Sequence, residues 1–158
     1  MYRENLIPLS DRNGWNSALT GIPHAFAHTW ESCHAMFLTH GHATYLYAYS
    51  DEKVRIVCPI CEREYKGYRD ITTPFGVPGF AGTGPCPEFP ERWKRFASSQ
   101  KYICGYIGMN PILSDESFYS AVDAYPYNRI FVQDLRPSIE EIFAGFSSSR
   151  KLQIKKVW

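Results

Sequence analysis

Three β-forming segments follow one another within about thirty residues, and this spacing restricts the folds open to the chain. Residues 44–49 are rich in β-formers, and a polar turn at residues 50–53 follows them. Four apolar side chains then alternate with period two: Val54, Ile56, Cys58 and Ile60. Alternation of this kind predicts a strand with one buried face. With a third segment at residues 68–72, the pattern predicts three successive strands, called the meander below.

Helical patterns lie on both sides of this meander. Asp11 precedes a short helical stretch around Trp15, and Thr29 is a plausible N-cap for a second helix that Gly41 ends. A third amphipathic helix is indicated by Phe89, Trp93, Phe96 and Ala97. Between the meander and this helix, residues 74–85 are rich in glycine and proline and show no strand or helix period.

The last third of the sequence also contains predicted strands and helices in alternation. The pattern predicts a strand at residues 102–107, a short helix capped by Ser114 and a strand at residues 129–135. Ser138 and Glu141 form the capping box of a further helix. The fold class expected is α+β, with a mixed, mostly antiparallel central sheet flanked by helices. The side chains expected to be buried on the sheet are Trp30, Phe37, Trp93, Phe96, Ile142 and Phe146.

Composition excludes several classes of protein. With 17 basic and 16 acidic residues, the net charge of +1 argues against DNA as a partner, since nucleic-acid binding usually needs a basic field. No apolar run approaches the roughly 20 residues of a membrane helix. The N-terminal residues show no secretory pattern, so we expect a cytoplasmic protein whose five cysteines are reduced thiols.

Residues 6–9 form a candidate first strand. With it, the order of the predicted elements resembles the start of the GNAT acyltransferase fold: a strand, two helices, a three-strand meander and then the cofactor helix. Within that superfamily the sequence is similar to the FemAB-type aminoacyl and acyl transferases, which contain two GNAT-like halves. The residues that carry the resemblance are Trp15, Pro23 and Trp30, the stretch 44–76 with its Pro-Phe-Gly loop, and the block 127–135 followed by 138–143 and 150–156.

The resemblance implies that residues 1–158 form a single GNAT-like domain, the N-terminal half of a longer transferase. An uncapped apolar helix end at Val157 and Trp158 favours a chain that continues. The implied activity is acyl or aminoacyl transfer to an amine on a cell-envelope precursor, as in peptidoglycan-bridge synthesis. This half would bind the acceptor, a nucleotide- or lipid-linked precursor, and the donor would be acyl-CoA or an aminoacyl-tRNA. The alternative is a non-catalytic GNAT-like binding module.

A glycine turn lies where GNAT enzymes hold the pyrophosphate of the acyl carrier. Gly82, Thr83 and Gly84 occupy that point, and Gly79 stands where the family has Gln or Arg. The prolines that follow, at 85 and 87, have no N–H to donate to a phosphate. A cofactor-binding turn and a plain connection between strand and helix both remain open.

The basic C-terminal segment is the second candidate. Arg150, Lys151, Lys155 and Lys156 lie on about two helical turns and can flank one face. In the resembled family this region neighbours the substrate groove, so phosphate binding is one interpretation. A solvated helix face is the other. The apolar end of this helix also predicts self-association through it.

The metal-ligating residue types do not form a recognisable zinc motif. Cys58 and Cys61 have Cys-x-x-Cys spacing, but the sequence has no second pair at zinc-finger spacing, and both cysteines fall in a predicted strand. His24 and His28 are four residues apart, and His40 and His42 flank a glycine. We therefore expect no metal site. No Gly-x-Ser-x-Gly elbow is present, so the catalytic residues stay unassigned.

Overall fold

The computed structural model describes residues 2–126, 129 and 131–155, and it divides into two compact units, residues 1–124 and 125–158. The first unit begins with strand β1 (Arg3–Pro8) and helix α1 (Arg12–Leu19). The Asp11 side chain accepts the N–H of Gly14 at 2.8 Å and so begins α1. A 3-10 helix (Phe26–His28) then leads to α2 (Trp30–His40).

The ends of α2 are those that the sequence predicts. The Thr29 hydroxyl accepts the N–H of Ser32 at 3.3 Å, and Gly41 ends the helix in the left-handed region with φ of 72°. The predicted burial of Phe37 is wrong, because 39% of that residue is exposed. The helix buries Cys33 completely, whereas every residue from 37 to 40 is exposed, so only its first turns pack on the sheet.

The predicted meander is confirmed as β2 (Ala43–Ser50), β3 (Arg55–Tyr65) and β4 (Tyr68–Thr72), with antiparallel pairing throughout. The expectation of one buried face on the second strand is wrong for its first half. Every residue from Ile56 to Cys61 is buried, so both faces of β3 are covered. Helices lie on both sides of the sheet at this point, which removes the exposed face that alternation implied.

The remaining elements of the first unit are β5 (Ala81–Gly82), α3 (Phe89–Ser99) and β6 (Tyr102–Tyr106). The strand order is β1-β2-β3-β4-β6, with β5 paired to β3. All pairings are antiparallel except β4 with β6, which α3 connects as a parallel crossover. The expected mixed, mostly antiparallel sheet flanked by helices is thus present. The expectation of no strand in the Gly/Pro-rich stretch is wrong at the two residues of β5.

One edge of β3 is shared by two strands. It pairs with β4 from Cys61 to Tyr65 and with β5 at Ile56 and Val57. Pro59 lies in the break between them, where β3 has neither of these partners on that edge. A proline without an N–H fits such a break better than a continuous ladder.

Each face of the sheet has its own apolar cluster. On the α3 side, Tyr47, Ile56, Ile60, Phe89 and Phe96 belong to one cluster, with Trp93 partly buried against it. On the other side, α1 and α2 pack Trp15, Leu19 and Cys33 against the sheet, with Trp30 partly buried. The predicted burial is therefore complete for Phe96 and partial for Trp30 and Trp93.

Two predicted elements in the later part of the chain differ from the structure. The helix expected after Ser114 is only a 3-10 turn, Glu116–Phe118, and its N-cap is Asp115 instead. The strand expected at residues 129–135 is absent from its described residues, 129 and 131–135. The exposed fraction of Phe131 is 97% there, so this apolar side chain lacks the cover that a sheet strand would give it.

The second unit contains α4 (Ile139–Ala144) and α5 (Ser148–Lys155). The predicted capping box of α4 is confirmed, because Ser138 accepts the N–H of Glu141 and Glu141 accepts the N–H of Ser138. The predicted burial of Ile142 and Phe146 is only partial, since each is partly buried. Within the described ranges, no helix is long and apolar enough to cross a membrane.

Candidate functional site

The glycine turn lies between β4 and α3, as the sequence predicts, and is held closely by the rest of the unit. Gly79 has φ of +61°, and a Cβ there would lie 2.8 Å from the backbone of Met109 and Asn110. Gly82 lies in β5, where a Cβ would lie 2.7 Å from the ring of Phe118. These two glycines therefore allow close packing against the segment 108–118.

The polar groups of the turn are engaged with the protein. Thr83 and Arg55 exchange two hydrogen bonds at 3.0 Å, one from each backbone N–H. The N–H of Cys86 donates to the Ser117 hydroxyl at 2.7 Å. A pyrophosphate cradle needs free backbone donors aimed at the anion. Here the donors of Thr83 and Cys86 have partners already.

The space beside the turn is small. A cavity of about 190 Å³ is lined by Gly82, Gly84, Leu113, Ser114 and Phe118, among others. Pockets that bury a drug-sized ligand usually measure about 300–1,000 Å³. Gly84 faces open space, because a Cβ there would have no atom of the described residues within 4 Å. The geometry favours the turn as a connection between strand and helix, and its role in cofactor binding stays a prediction.

The basic residues of the second unit lie on α5. Lys151 donates to the Ala144 carbonyl at 2.8 Å, at the end of α4, and Arg150 donates to the Gln153 side chain at 3.3 Å. Lys155 is exposed, and Lys156 lies outside the described residues, as do Val157 and Trp158. Lys151 is therefore occupied in joining α4 and α5, which leaves Lys155 as the free cation of the predicted set within residues 2–155. Phosphate binding and self-association by this helix stay predictions.

The two cysteines of the Cys-x-x-Cys pattern lie on opposite faces of β3. Cys58 belongs to the apolar cluster under α3, whereas the Cys61 sulfur lies 3.4 Å from the Thr44 hydroxyl on the other side. Burial raises the pKa of both thiols. The described residues contain no group of three or more His, Cys, Asp or Glu side chains placed to hold a metal ion.

His28 is a completely buried histidine beside the glycine turn. Its Nδ1 accepts the N–H of Ala25 at 3.2 Å, and its carbonyl accepts the indole N–H of Trp15 at 2.9 Å. Its Nε2 is buried and has no hydrogen-bond partner within the part of the chain that the structure describes. Burial lowers the pKa of His28 to about 4. The ring is therefore neutral at pH 7.

Sequence reasoning missed a groove beside β1. The groove, of about 670 Å³, is lined by residues of β1, β2 and β3 and by Ala18 and Ile22 beside the end of α1. Its polar side chains include Arg3, Ser50 and Arg55. These residues are far apart in the sequence and form no motif. The only signal was the strand pairing itself, which a single sequence does not provide.

Comparison with known proteins adds no assignment. No protein-family model, curated protein or solved structure matches the chain. The residues described above are therefore assigned from geometry and chemistry alone. The resemblance to FemAB-type transferases stays a prediction.

Proposed function

We propose that the chain is the acceptor-binding half of a GNAT-like acyl- or aminoacyltransferase of the FemAB type. The observation that carries this proposal is the order of elements in the first unit. The order is a strand, two helices, a three-strand meander, a glycine-containing loop and an amphipathic helix, and all the strands belong to a single sheet. This is the order that the resemblance predicts.

The proposed reaction is attack by an amine of a cytoplasmic cell-envelope precursor on an activated ester or thioester. Such a reaction depends on orientation of the two substrates and on stabilisation of the developing oxyanion. It needs no covalent nucleophile on the enzyme. The burial of Cys33, Cys58, Cys61 and Cys86 is consistent with this, because burial raises the pKa of each thiol and suppresses its thiolate form.

The donor, acyl-CoA or aminoacyl-tRNA, is proposed to bind outside this chain. Support comes from the glycine turn, where the N–H groups of Thr83 and Cys86 are engaged with Arg55 and Ser117. The neighbouring cavity is also too small for a nucleotide carrier. The chain then contributes recognition of a nucleotide- or lipid-linked acceptor.

Calorimetry tests this division of roles. The purified chain is titrated with a nucleotide-linked peptidoglycan precursor that has a free amine, and separately with acetyl-coenzyme A. We expect binding of the precursor and none of acetyl-coenzyme A. Micromolar binding of acetyl-coenzyme A that Gly84→Trp abolishes would overturn the proposal and make the glycine turn a working donor site. Gly84 suits this variant, because a side chain there enters open space.

A second candidate is a non-catalytic binding module of the same fold. The backbone N–H groups of Thr83 and Cys86 are already bonded within the protein, and this favours a binding module as much as it favours an acceptor-binding half. The same titrations separate the two candidates. If neither the precursor nor acetyl-coenzyme A binds, the transferase proposal fails and the module remains.

A further inference from the structure

The groove beside β1 contains a row of polar side chains that the proposed transferase activity does not use. Arg3 pairs with Ser50 between β1 and β2, and Ser50 pairs with Arg55 between β2 and β3. The three residues thus lie side by side across three strands. Neighbouring strands are about 4.8 Å apart, so the backbones of the two arginines are separated by about 10 Å.

The row lies on the same face of the sheet as α1, just beyond the part of that face that the helix covers. The next row on this face is Asn5, Ala48 and Val57, and Val57 belongs to the apolar cluster under α1 and α2. Side chains on one face recur every second residue. The face therefore changes from apolar beneath the helices to polar beyond the end of α1, and the small side chains of Ala48 and Ser50 leave the floor of the groove open.

Arg55 is held in place by the end of α1. Its guanidinium donates to the carbonyls of Ala18 at 2.7 Å and Thr20 at 2.9 Å. These bonds satisfy carbonyls at the helix C-terminus, where a cation is favourable. The same bonds fix the charge of Arg55 at the wall of the groove, so a ligand would not need to order this side chain.

Arg3 carries the uncompensated charge of the groove. Its exposed side chain has no hydrogen bond or ion pair within the described part of the chain, and the same holds for the side chains of Asn5 and Ser50. The one acidic residue of the lining is Glu4, whose carboxylate accepts the Tyr47 hydroxyl at 3.0 Å. Tyr47 lies in the cluster under α3, so this carboxylate is on the opposite face of the sheet.

We propose that the groove binds a small phosphorylated molecule, with a phosphate group held between Arg3 and Arg55 and hydrogen-bonded by the Ser50 hydroxyl. Guanidinium groups make short, charge-assisted hydrogen bonds to phosphate oxygens. The cavity of about 670 Å³ lies within the usual range for small-molecule sites. This inference stands whether or not the chain belongs to a transferase.

The test uses inorganic pyrophosphate as the probe and the whole chain at constant ionic strength. Amide chemical shifts and calorimetry give the site and the dissociation constant. We expect shifts at Arg3, Ser50 and Arg55. We also expect binding to weaken at least tenfold in Arg3→Gln, since this removes an unpaired cation without removing a contact of the fold.

A matched control and a second variant sharpen the result. Arg95 is an exposed arginine of α3, on the opposite side of the sheet, and Arg95→Gln should change the affinity less than twofold. Ser50→Asp places a negative charge between the two arginines and should abolish binding. Its folding is checked by its unfolding midpoint.

Three results would overturn the proposal. One is the absence of pyrophosphate binding at millimolar concentration. Another is equal weakening of binding in Arg3→Gln and Arg95→Gln, which would indicate attraction to the whole surface. The third is citrate binding as tightly as pyrophosphate, which would make the groove a general anion site instead of a phosphate site.

Discussion

Arg55 and Thr83 are joined by two reciprocal hydrogen bonds. The backbone N–H of Thr83 donates to the Arg55 carbonyl, and the backbone N–H of Arg55 donates to the Thr83 hydroxyl. The pair joins β3 to the residue that follows β5. Arg55 also borders the groove beside β1. Its backbone therefore anchors the glycine turn, while its side chain contributes a cation to the groove on the face of the sheet that α1 covers.

Removal of the Thr83 hydroxyl should weaken this anchor. In Thr83→Val the Arg55 N–H loses its acceptor, and we expect the free energy of unfolding to fall by about 0.5–1.5 kcal/mol. Urea denaturation measures the change. Thr39→Val is the matched control on the exposed side of α2, where the hydroxyl donates only to a helix carbonyl, and it should change stability less. Equal losses in the two variants would contradict the anchoring role.

Gly82 and Gly84 provide a paired test of close packing in the glycine turn. A Cβ at Gly82 would lie 2.7 Å from the Phe118 ring and 3.0 Å from the Arg55 carbonyl, so Gly82→Ala should destabilise the chain by about 1–3 kcal/mol. Gly84→Ala meets no atom within 4 Å and should leave stability unchanged or raise it by up to about 1 kcal/mol. Thermal or urea unfolding compares them. A larger loss for Gly84→Ala would be inconsistent with the packing described.

Burial of His28 should make stability depend on pH. Burial lowers its pKa to about 4 from an ordinary value of 6.5, so the unfolded chain takes up the proton first. The free energy of unfolding should therefore fall as the pH decreases from about 6.5 to about 4, by up to about 3 kcal/mol from this group, and recover as the pH rises.

Urea unfolding at several pH values checks this dependence. His28→Gln should flatten the curve between about pH 6.5 and pH 4, whereas His24→Gln, a variant of the neighbouring and more exposed ring, should keep it. An unchanged slope in His28→Gln would assign the acid sensitivity to other groups.

The cysteines should differ sharply in reactivity. Cys104 is exposed in β6, whereas Cys33, Cys58, Cys61 and Cys86 are buried, and burial raises the pKa of Cys33 to about 12. A thiol reagent should therefore modify one cysteine rapidly in the native chain and five after unfolding. Cys104→Ser should remove the rapid phase. A rapid phase that persists in this variant would mean that a buried thiol opens readily to solvent.

The sequence was sufficient for features that depend on local chemistry. The caps at Thr29, Gly41 and Ser138 involve only residues within one helical turn, and all three are confirmed. The meander was also predictable, because short turns favour pairing between adjacent strands. Failures occurred where distant residues decide the outcome. β5 forms because β3 offers it an edge, and nothing in the local composition of Ala81 and Gly82 indicates a strand.

The candidate sites divide in the same way. The glycine turn could be located from its order along the chain, but the engagement of Thr83 with Arg55 depends on a fold in which residues 28 positions apart meet. The groove could not be found at all, because Arg3, Ser50 and Arg55 become neighbours only through the register of three strands.

The parallel pairing of β4 with β6 has a consequence for how the sheet assembles. The strands β2, β3 and β4 close through short turns, whereas β6 reaches its place only after residues 73–101, including α3, have crossed the sheet. Closing that longer loop requires more chain entropy to be lost before any contact forms. The meander is therefore suited to nucleate folding, and the edge strand β6 completes the sheet late.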